Sequence, residues 1–252
     1  MKHLRLIFRV PAVTLFTILS ALAYGIGALL VRLAGYSHLP WRNQLLTFWA
    51  SATARLIRLE IHTEGSPPEP PFFLVSNHLS YLDIVPLFKN LSCTFIARQD
   101  IQSWPLLGRI SRLIGVIFID RTRKLDVARV NRIVSNTLSR HTGIVLFPEG
   151  GTSDGSRVHR FRASLLEHPS AIGMPVNFAT LHYRTGDGEL PASEAVCWHG
   201  DISFPAHVLR LLSLDRIICT VTFGKETVAE RDRKLLASRL YDQVIKQFTP
   251  IQ

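Results

Sequence analysis

Apolar and polar positions divide this chain into three unlike regions. From Val10 to Val31 about 22 residues pass without a charge, enough as a helix to cross a bilayer. Lys2, Arg5 and Arg9 stand before the run and Arg32 closes it. Ala21-Leu22-Ala23 resembles a signal-processing site. The apolar run continues well past it to Val31, which favours an uncleaved anchor over a cleaved leader. Between Trp41 and Leu59 the period becomes helical, with Leu45, Phe48, Trp49, Ala52, Leu56 and Leu59 on one face and Arg42, Arg55 and Arg58 interspersed. That pattern suits a core helix and a helix lying among lipid headgroups equally. Gly65-Ser66-Pro67-Pro68-Glu69-Pro70-Pro71 can be neither helix nor central strand. It marks an expected boundary between membrane-anchoring helices, residues 1–64, and a globular unit, residues 65–252.

Beyond this linker, short apolar runs alternate with longer periodic segments. Strands are predicted at Phe72–Val75, Thr94–Ala97, Val116–Ile119, Ile144–Phe147, Pro175–Ala179 and Ile217–Phe223. Helices are predicted at Leu82–Leu91, Trp104–Arg112, Leu125–Arg140, Phe161–Glu167, Ile202–Leu212 and Ala229–Phe248. Several of the strand runs are apolar at every position, which implies burial on both faces. The expected fold is therefore α/β, a mostly parallel sheet covered by helices and preceded by the membrane-associated helical pair.

Composition narrows the partners. The 252 residues make one large or two small domains, and a net charge of +10 calls for an anionic partner. The basic residues are scattered and no aromatic platform interleaves them, which argues against nucleic acid and for anionic lipid or a phosphorylated substrate. Cys93, Cys197 and Cys219 are odd in number and widely spaced, so they suggest neither a disulfide framework nor a metal pair. No metal site is expected, and a reducing compartment is.

Ligands of parallel sheets bind beyond the carboxyl ends of strands, and polar residues interrupt four strand ends here. Ser76-Asn77-His78 ends the first strand, and Asp83 follows in the first turn of a helix. This is either a general base with its orienting carboxylate or a pair of residues capping a helix. Asp120-Arg121 ends the third strand. Arg121 could grip a phosphate with its planar fork or make a surface ion pair. Pro148-Glu149-Gly150-Gly151-Thr152-Ser153 follows the fourth, where glycines admit close backbone approach and hydroxyls donate, unless it is a plain turn. Gly173-Met174-Pro175-Val176-Asn177 enters the fifth, and its plain alternative is a sheet edge.

Taken together, His78-x-x-x-x-Asp83, Phe118-Ile119-Asp120-Arg121, Phe147-Pro148-Glu149-Gly150 and Met174-Pro175-Val176 resemble the four ordered blocks of the glycerolipid acyltransferases, most closely the bacterial 1-acylglycerol-3-phosphate (lysophosphatidic acid) type. Arg98-Gln99-Asp100-Ile101 with Ser103 to Gly108 resembles the family's segment between the first two blocks. The resemblance implies His78 as base and Asp83 as its partner. It places Arg98, Arg121, Glu149, Gly150, Gly151, Thr152 and Pro175 at the substrate site. It implies transfer of an acyl group from acyl-CoA or acyl carrier protein to a lysophospholipid, without a resident cofactor, at the cytoplasmic face of the inner membrane. Membrane lipids and acyl carrier protein are the implied partners. Two departures bear on phosphate recognition. Thr152 stands where the third block has arginine, and Arg98 where lysine is common; Arg157, Arg160 and Arg162 follow closely. Thr152-Ser153-Asp154-Gly155 and Trp198-His199-Gly200-Asp201 are nearer the lyso-ornithine lipid branch.

Two other classes compete. Gly151-Thr152-Ser153-Asp154-Gly155 matches G-x-S-x-G, with Asp201 and His207 following in hydrolase order. A nucleophile elbow sits directly between strand and helix, however, and here Pro148-Glu149-Gly150 intervenes. A non-catalytic basic protein is the other. Charges flank the apolar segment on both sides, so the positive-inside rule imposes no single crossing. The expected topology is a hairpin or shallow pair with both ends inside, turned at Gly35–Pro40.

Overall fold

The computed structural model describes residues 2–120 and 124–252. Among them the strands are β1 (Leu59–Glu64), β2 (Phe73–Ser76), β3 (Cys93–Arg98), β4 (Ile117–Ile119), β5 (Gly143–Leu146), β6 (Val176–Thr185) and β7 (Ile217–Phe223). They form one sheet in the order β1-β7-β6-β2-β5-β3-β4. Every neighbouring pair is parallel except β6 with β7. The helices are α1 (Lys2–Leu33), α2 (Leu39–Ile57), α3 (Ile84–Asn90), α4 (Leu107–Leu113), α5 (Lys124–Thr137), α6 (Glu167–Ile172), α7 (Ala192–Ala195), α8 (Phe204–Ser213) and α9 (Arg233–Gln247).

The all-apolar strands are buried on both faces, as their composition requires. On β2, Leu74 joins a core shared with α2, α3 and α8, while Phe73 and Val75 join a second core shared with α5 and α9. On β5, Val145 faces the first core and Ile144 and Leu146 face the second. This period-two alternation makes the sheet the middle of three layers. Because β2, β3, β4 and β5 run parallel, their carboxyl ends open on one edge.

The N-terminal helices are joined to that body by polar contacts at both ends. Arg9 is buried, and its guanidinium donates to the Leu212, Leu214 and Asp215 carbonyls in the last turn of α8 and just beyond it, groups that a helix end leaves without partners. Arg5 pairs with Glu189 at 3.1 Å and Asp215 at 2.9 Å. On α2, buried Arg42 donates to Thr142 Oγ1 at 3.1 Å, and Asn43 donates to the His141 carbonyl at 2.6 Å. Ala50, Ala54 and Ile57 enter the first core, so α2 is an amphipathic core helix. The helix pair itself closes on Gly27, where any Cβ would stand 2.3 Å from Trp41 Nε1.

Several boundaries differ from the sequence expectation. Leu59–Glu64 is a strand on the outer edge of the sheet, not the end of the preceding helix, and so lies on the anchor side of the expected division at residue 64. Arg58 makes this possible by adopting φ 57°, the left-handed turn that ends α2. The strand expected at Pro175–Ala179 continues to Thr185 by pairing with β7. The helix expected at Phe161–Glu167 begins later, as a 3₁₀ turn at Ala163–Leu166 running into α6. Arg121 lies outside the described residues.

Candidate active site

The site begins with the way β2 stops. The Asn77 side chain imitates a peptide: its Nδ2 donates to the Leu181 carbonyl at 3.0 Å, and its Oδ1 accepts from the Leu181 N–H at 2.8 Å. The ladder to β6 is thereby continued by a side chain, and the main chain is free to turn away. His78 follows at the turn with its side chain 21% exposed.

Its imidazole is held on two sides. His78 Nδ1 lies 2.8 Å from Asp83 Oδ2, and the ring stacks on Phe147 with centroids 3.9 Å apart at 9°. Asp83 Oδ2 also accepts from the Leu79 N–H at 2.8 Å and the Ser80 N–H at 3.1 Å. One oxygen of the carboxylate thus both caps a turn and holds the imidazole. Against the wholly buried Asp83 carboxylate, Nδ1 is the nitrogen that carries the hydrogen, which leaves Nε2 with its lone pair.

The loop after β5 clamps the same residue through its backbone. Glu149 Oε1 accepts from the His78 N–H at 2.8 Å, and Oε2 accepts from the His159 N–H at 2.6 Å. The Ser153 N–H donates to the His78 carbonyl at 3.1 Å. Gly150 makes the turn between them at φ +87°, where a side chain would be strained. Both Glu149 oxygens are thus engaged by backbone N–H groups, one of them that of His78.

Burial pushes the Glu149 carboxyl up to about 7; the N–H groups of His159 and His78 oppose this, and the Asp83 charge adds to it. A carboxyl raised above its unfolded value near 4.5 is one whose proton the folded state holds more tightly. Its contribution to stability is greatest below that value and is lost as pH rises through about 7. Denaturant midpoints should show wild type losing up to about 3 kcal/mol from this group between pH 5 and 8. Glu149→Gln, uncharged throughout, should flatten that slope. An unchanged slope would mean that Glu149 stays ionised across the range.

The remaining expected residues divide. Arg98 ends β3 on the open edge, but its guanidinium is paired two-pronged with Asp100 at 2.9 Å through each nitrogen. The Thr152 hydroxyl donates to the Trp198 carbonyl, which binds it to the protein instead of a ligand. Gly151 has open space where a side chain would project, so close packing does not demand glycine there. Pro175 is not at the site. It enters β6 at the amino end, and since Ala179 pairs with Ser76 it lies four residues back, about 13 Å along the strand.

Of the three following arginines, Arg157 lines a hollow with Thr152, Ser153, Asp154, Ser156, His159 and His199. Arg160 instead lies 4.9 Å over the Tyr241 ring. The hydrolase constellation does not assemble. Ser153 is buried, and its Oγ accepts from the Gly155 N–H. The ring nitrogens of His207 face the Tyr81 hydroxyl and the Cys197 carbonyl.

Sequence reasoning missed Phe147 as the platform under the imidazole, although an aromatic closing a strand beside the histidine was visible. It missed the Trp198 backbone, whose N–H donates to the Leu79 carbonyl at 2.8 Å. No side-chain pattern signals a main-chain contact.

Known proteins match this architecture. A family model described as Acyltransferase matches residues 58–177. A lyso-ornithine lipid O-acyltransferase of Brucella abortus is 31% identical over 81% of both chains. A 1-acyl-sn-glycerol-3-phosphate acyltransferase of Neisseria gonorrhoeae is 29% identical over 75% of both. The solved structure of a 1-acyl-sn-glycerophosphate acyltransferase from Thermotoga maritima superposes with a TM-score of 0.62, covering 98% of this chain and 97% of that one at 16% identity. That last likeness is one of fold, and it includes the N-terminal helices.

Proposed function

This chain belongs to the glycerolipid acyltransferase family, and we propose that it moves a fatty acyl group from an acyl thioester to the free hydroxyl of a lysophospholipid at a membrane surface. The observation that supports this reading is the 2.8 Å contact between His78 and Asp83 at an open strand end. Nε2 takes the acceptor's hydroxyl proton as its oxygen attacks the thioester carbonyl. The new C–O bond forms, the C–S bond breaks, and the imidazolium returns its proton to the departing thiolate. Asp83 stabilises the imidazolium and fixes its tautomer, as in the serine hydrolases but without the serine. The thioester carries its own activation, so the reading needs no resident cofactor; acyl-CoA and acyl carrier protein are both suitable donors.

The leading acceptor is 1-acylglycerol-3-phosphate, giving phosphatidic acid. Arg98 would have to exchange Asp100 for the phosphate, with Arg121 contributing the second cation. A second acceptor, lyso-ornithine lipid, is favoured by one observation. The hollow beside the base offers both signs of charge, Arg157 with Asp154. The Ser156 N–H and hydroxyl hold Asp154 below the usual carboxylate range and so keep it ionised. A headgroup carrying carboxylate and ammonium suits that pairing better than a phosphate does.

An acceptor panel tests the assignment. Purified protein is given labelled acyl-CoA or acyl carrier protein with each lysolipid. Transfer to 1-acylglycerol-3-phosphate is expected to exceed transfer to the others by at least about tenfold, the discrimination one charged hydrogen bond supplies. Preference for lyso-ornithine lipid would move the acceptor to the second reading. Thioester hydrolysis abolished by Ser153→Ala, with no lysolipid acylated, would overturn transfer itself. For α1 we propose membrane anchoring at the cytoplasmic face of the inner membrane, supported by its apolar outer surface.

A further inference from the structure

Asp83 uses its two oxygens unequally. Oδ2 takes three donors, His78 Nδ1 and the N–H groups of Leu79 and Ser80. Oδ1 is fully buried and takes none. A bare carboxylate oxygen away from water is costly, and a site that needs this carboxylate ionised has reason to satisfy it.

A second buried group has the complementary defect. Tyr183, on β6, is wholly buried, and its hydroxyl too lacks a hydrogen-bond partner of good geometry. Its nearest polar neighbours are the Asp83 carboxylate and the thiol of Cys219, which faces it across the β6–β7 ladder. The two Asn77–Leu181 hydrogen bonds fix this part of β6 against the end of β2, two residues from Tyr183. Burial drives the phenol well above its usual range, and the neighbouring thiol and carboxylate add to this. The hydroxyl is therefore neutral and has one hydrogen to give, and Asp83 Oδ1 is the one strong acceptor left open beside it.

We infer that Tyr183 is a positioning residue of the acyl transfer, donating its phenolic hydrogen to Asp83 Oδ1 so that the carboxylate stays ionised with Oδ2 aimed at His78. The titratable groups facing Asp83 are His78 from the end of β2, Glu149 from the end of β5, Tyr183 from β6, Cys219 from β7 and Cys197 beyond α7. Of these, Tyr183 is the strong neutral donor for Oδ1, the two thiols being weak ones, and it leaves the other oxygen to the imidazole. The tyrosine acts on the substrate only through the dyad and touches neither acyl group nor headgroup.

The consequence has a sign. Removing a donor from a carboxylate makes it more basic and strengthens its pull on the imidazolium. Both effects raise the pH at which the His78–Asp83 pair takes up a proton. Tyr183→Phe, which keeps the ring, should shift the acid limb of the kcat/KM profile upward by about one pH unit. At pH 7 kcat should fall several-fold while the acceptor KM stays as it was. A 3-fluorotyrosine at 183, a stronger donor of nearly the same shape, should shift the limb the other way. In an Asp83→Asn background Tyr183→Phe should add nothing, since a group acting through Asp83 has nothing left to act on.

The inference rests on His78 as base, and the two are separable. Activity surviving His78→Ala would remove that reading. An inactive His78→Ala together with an unmoved limb in both Tyr183 variants would remove only this one. Losses that multiply in the double variant would likewise make Tyr183 a packing residue.

Discussion

His78→Ala should abolish acyl transfer, a loss on the order of 10²–10⁴-fold for a missing general base, in a protein that still folds and still binds membrane. Folding should survive because the ring contributes one hydrogen bond and one stacking contact. The main-chain bonds of His78 to Glu149 and Ser153 do not depend on the side chain. Asp83 keeps the Leu79 and Ser80 N–H groups. Asp83→Asn should be milder in one respect and worse in another. The imidazole stays, so a small residual rate is expected. The amide, however, cannot offer its nitrogen to three donors as the oxygen does, so the capped turn loosens as well. Single-turnover acylation of a labelled lysolipid reads both variants without interference from product release. Wild-type turnover in His78→Ala would end the mechanism proposed here.

Much of the fold was legible because its core is patterned so plainly. Fully apolar runs such as Phe72–Val75 and Ile144–Phe147 can satisfy both faces only inside a covered sheet. What the pattern hid were the places where a residue acts against its type. Arg58 takes the left-handed turn usually given to glycine, so nothing announced that a helix ends there and β1 begins. On β1 itself only Leu59 is buried, and the rest lie exposed or half-exposed along a sheet edge, so no alternation stands out. The ends of α6 and α9 are likewise set by capping and 3₁₀ turns too short to show a period.

The site was legible as residue types and hidden as roles. A histidine and an aspartate five positions apart after a buried strand suggest a base and its partner. The contact at 2.8 Å across one turn is what that spacing allows. The resemblance set Glu149 among the substrate residues, whereas both its oxygens are spent on backbone N–H groups. Pro175 was set there too by the resemblance, although it enters its strand and the site lies where the neighbouring strand ends. Register settles that, through Ala179 opposite Ser76.

Single cysteines at His3 and Ser66 should both resist a membrane-impermeant thiol reagent in intact cells and both react after lysis. The two positions are exposed, and the native cysteines are buried and need no removal. By length and apolarity α1 could span a bilayer; its contacts argue otherwise. A helix of 32 residues is about 48 Å long. At its start Arg5 and Arg9 are bound to Glu189, Asp215 and the carbonyls that end α8. At its far end the chain turns back through α2, which is tied to the body by Arg42 and Asn43. Threading α1 through a membrane would pull Arg9 from three carbonyls and leave buried groups unpaired. Its outer face carries Leu15, Leu19, Leu22, Ile26, Leu29 and Leu33, each more than half exposed. Their spacing of three and four places them on one stripe. Its inner face is spent on the protein, with Tyr24 and Ala28 buried and Thr17 bonded to Trp49. A stripe of this kind suits a helix lying in one leaflet, with both ends on the side of the His78 site. Reaction at His3→Cys alone in intact cells would mean that α1 crosses after all. Reaction at both would place the catalytic body outside, away from any cytosolic thioester, and the proposed donor would fall with it.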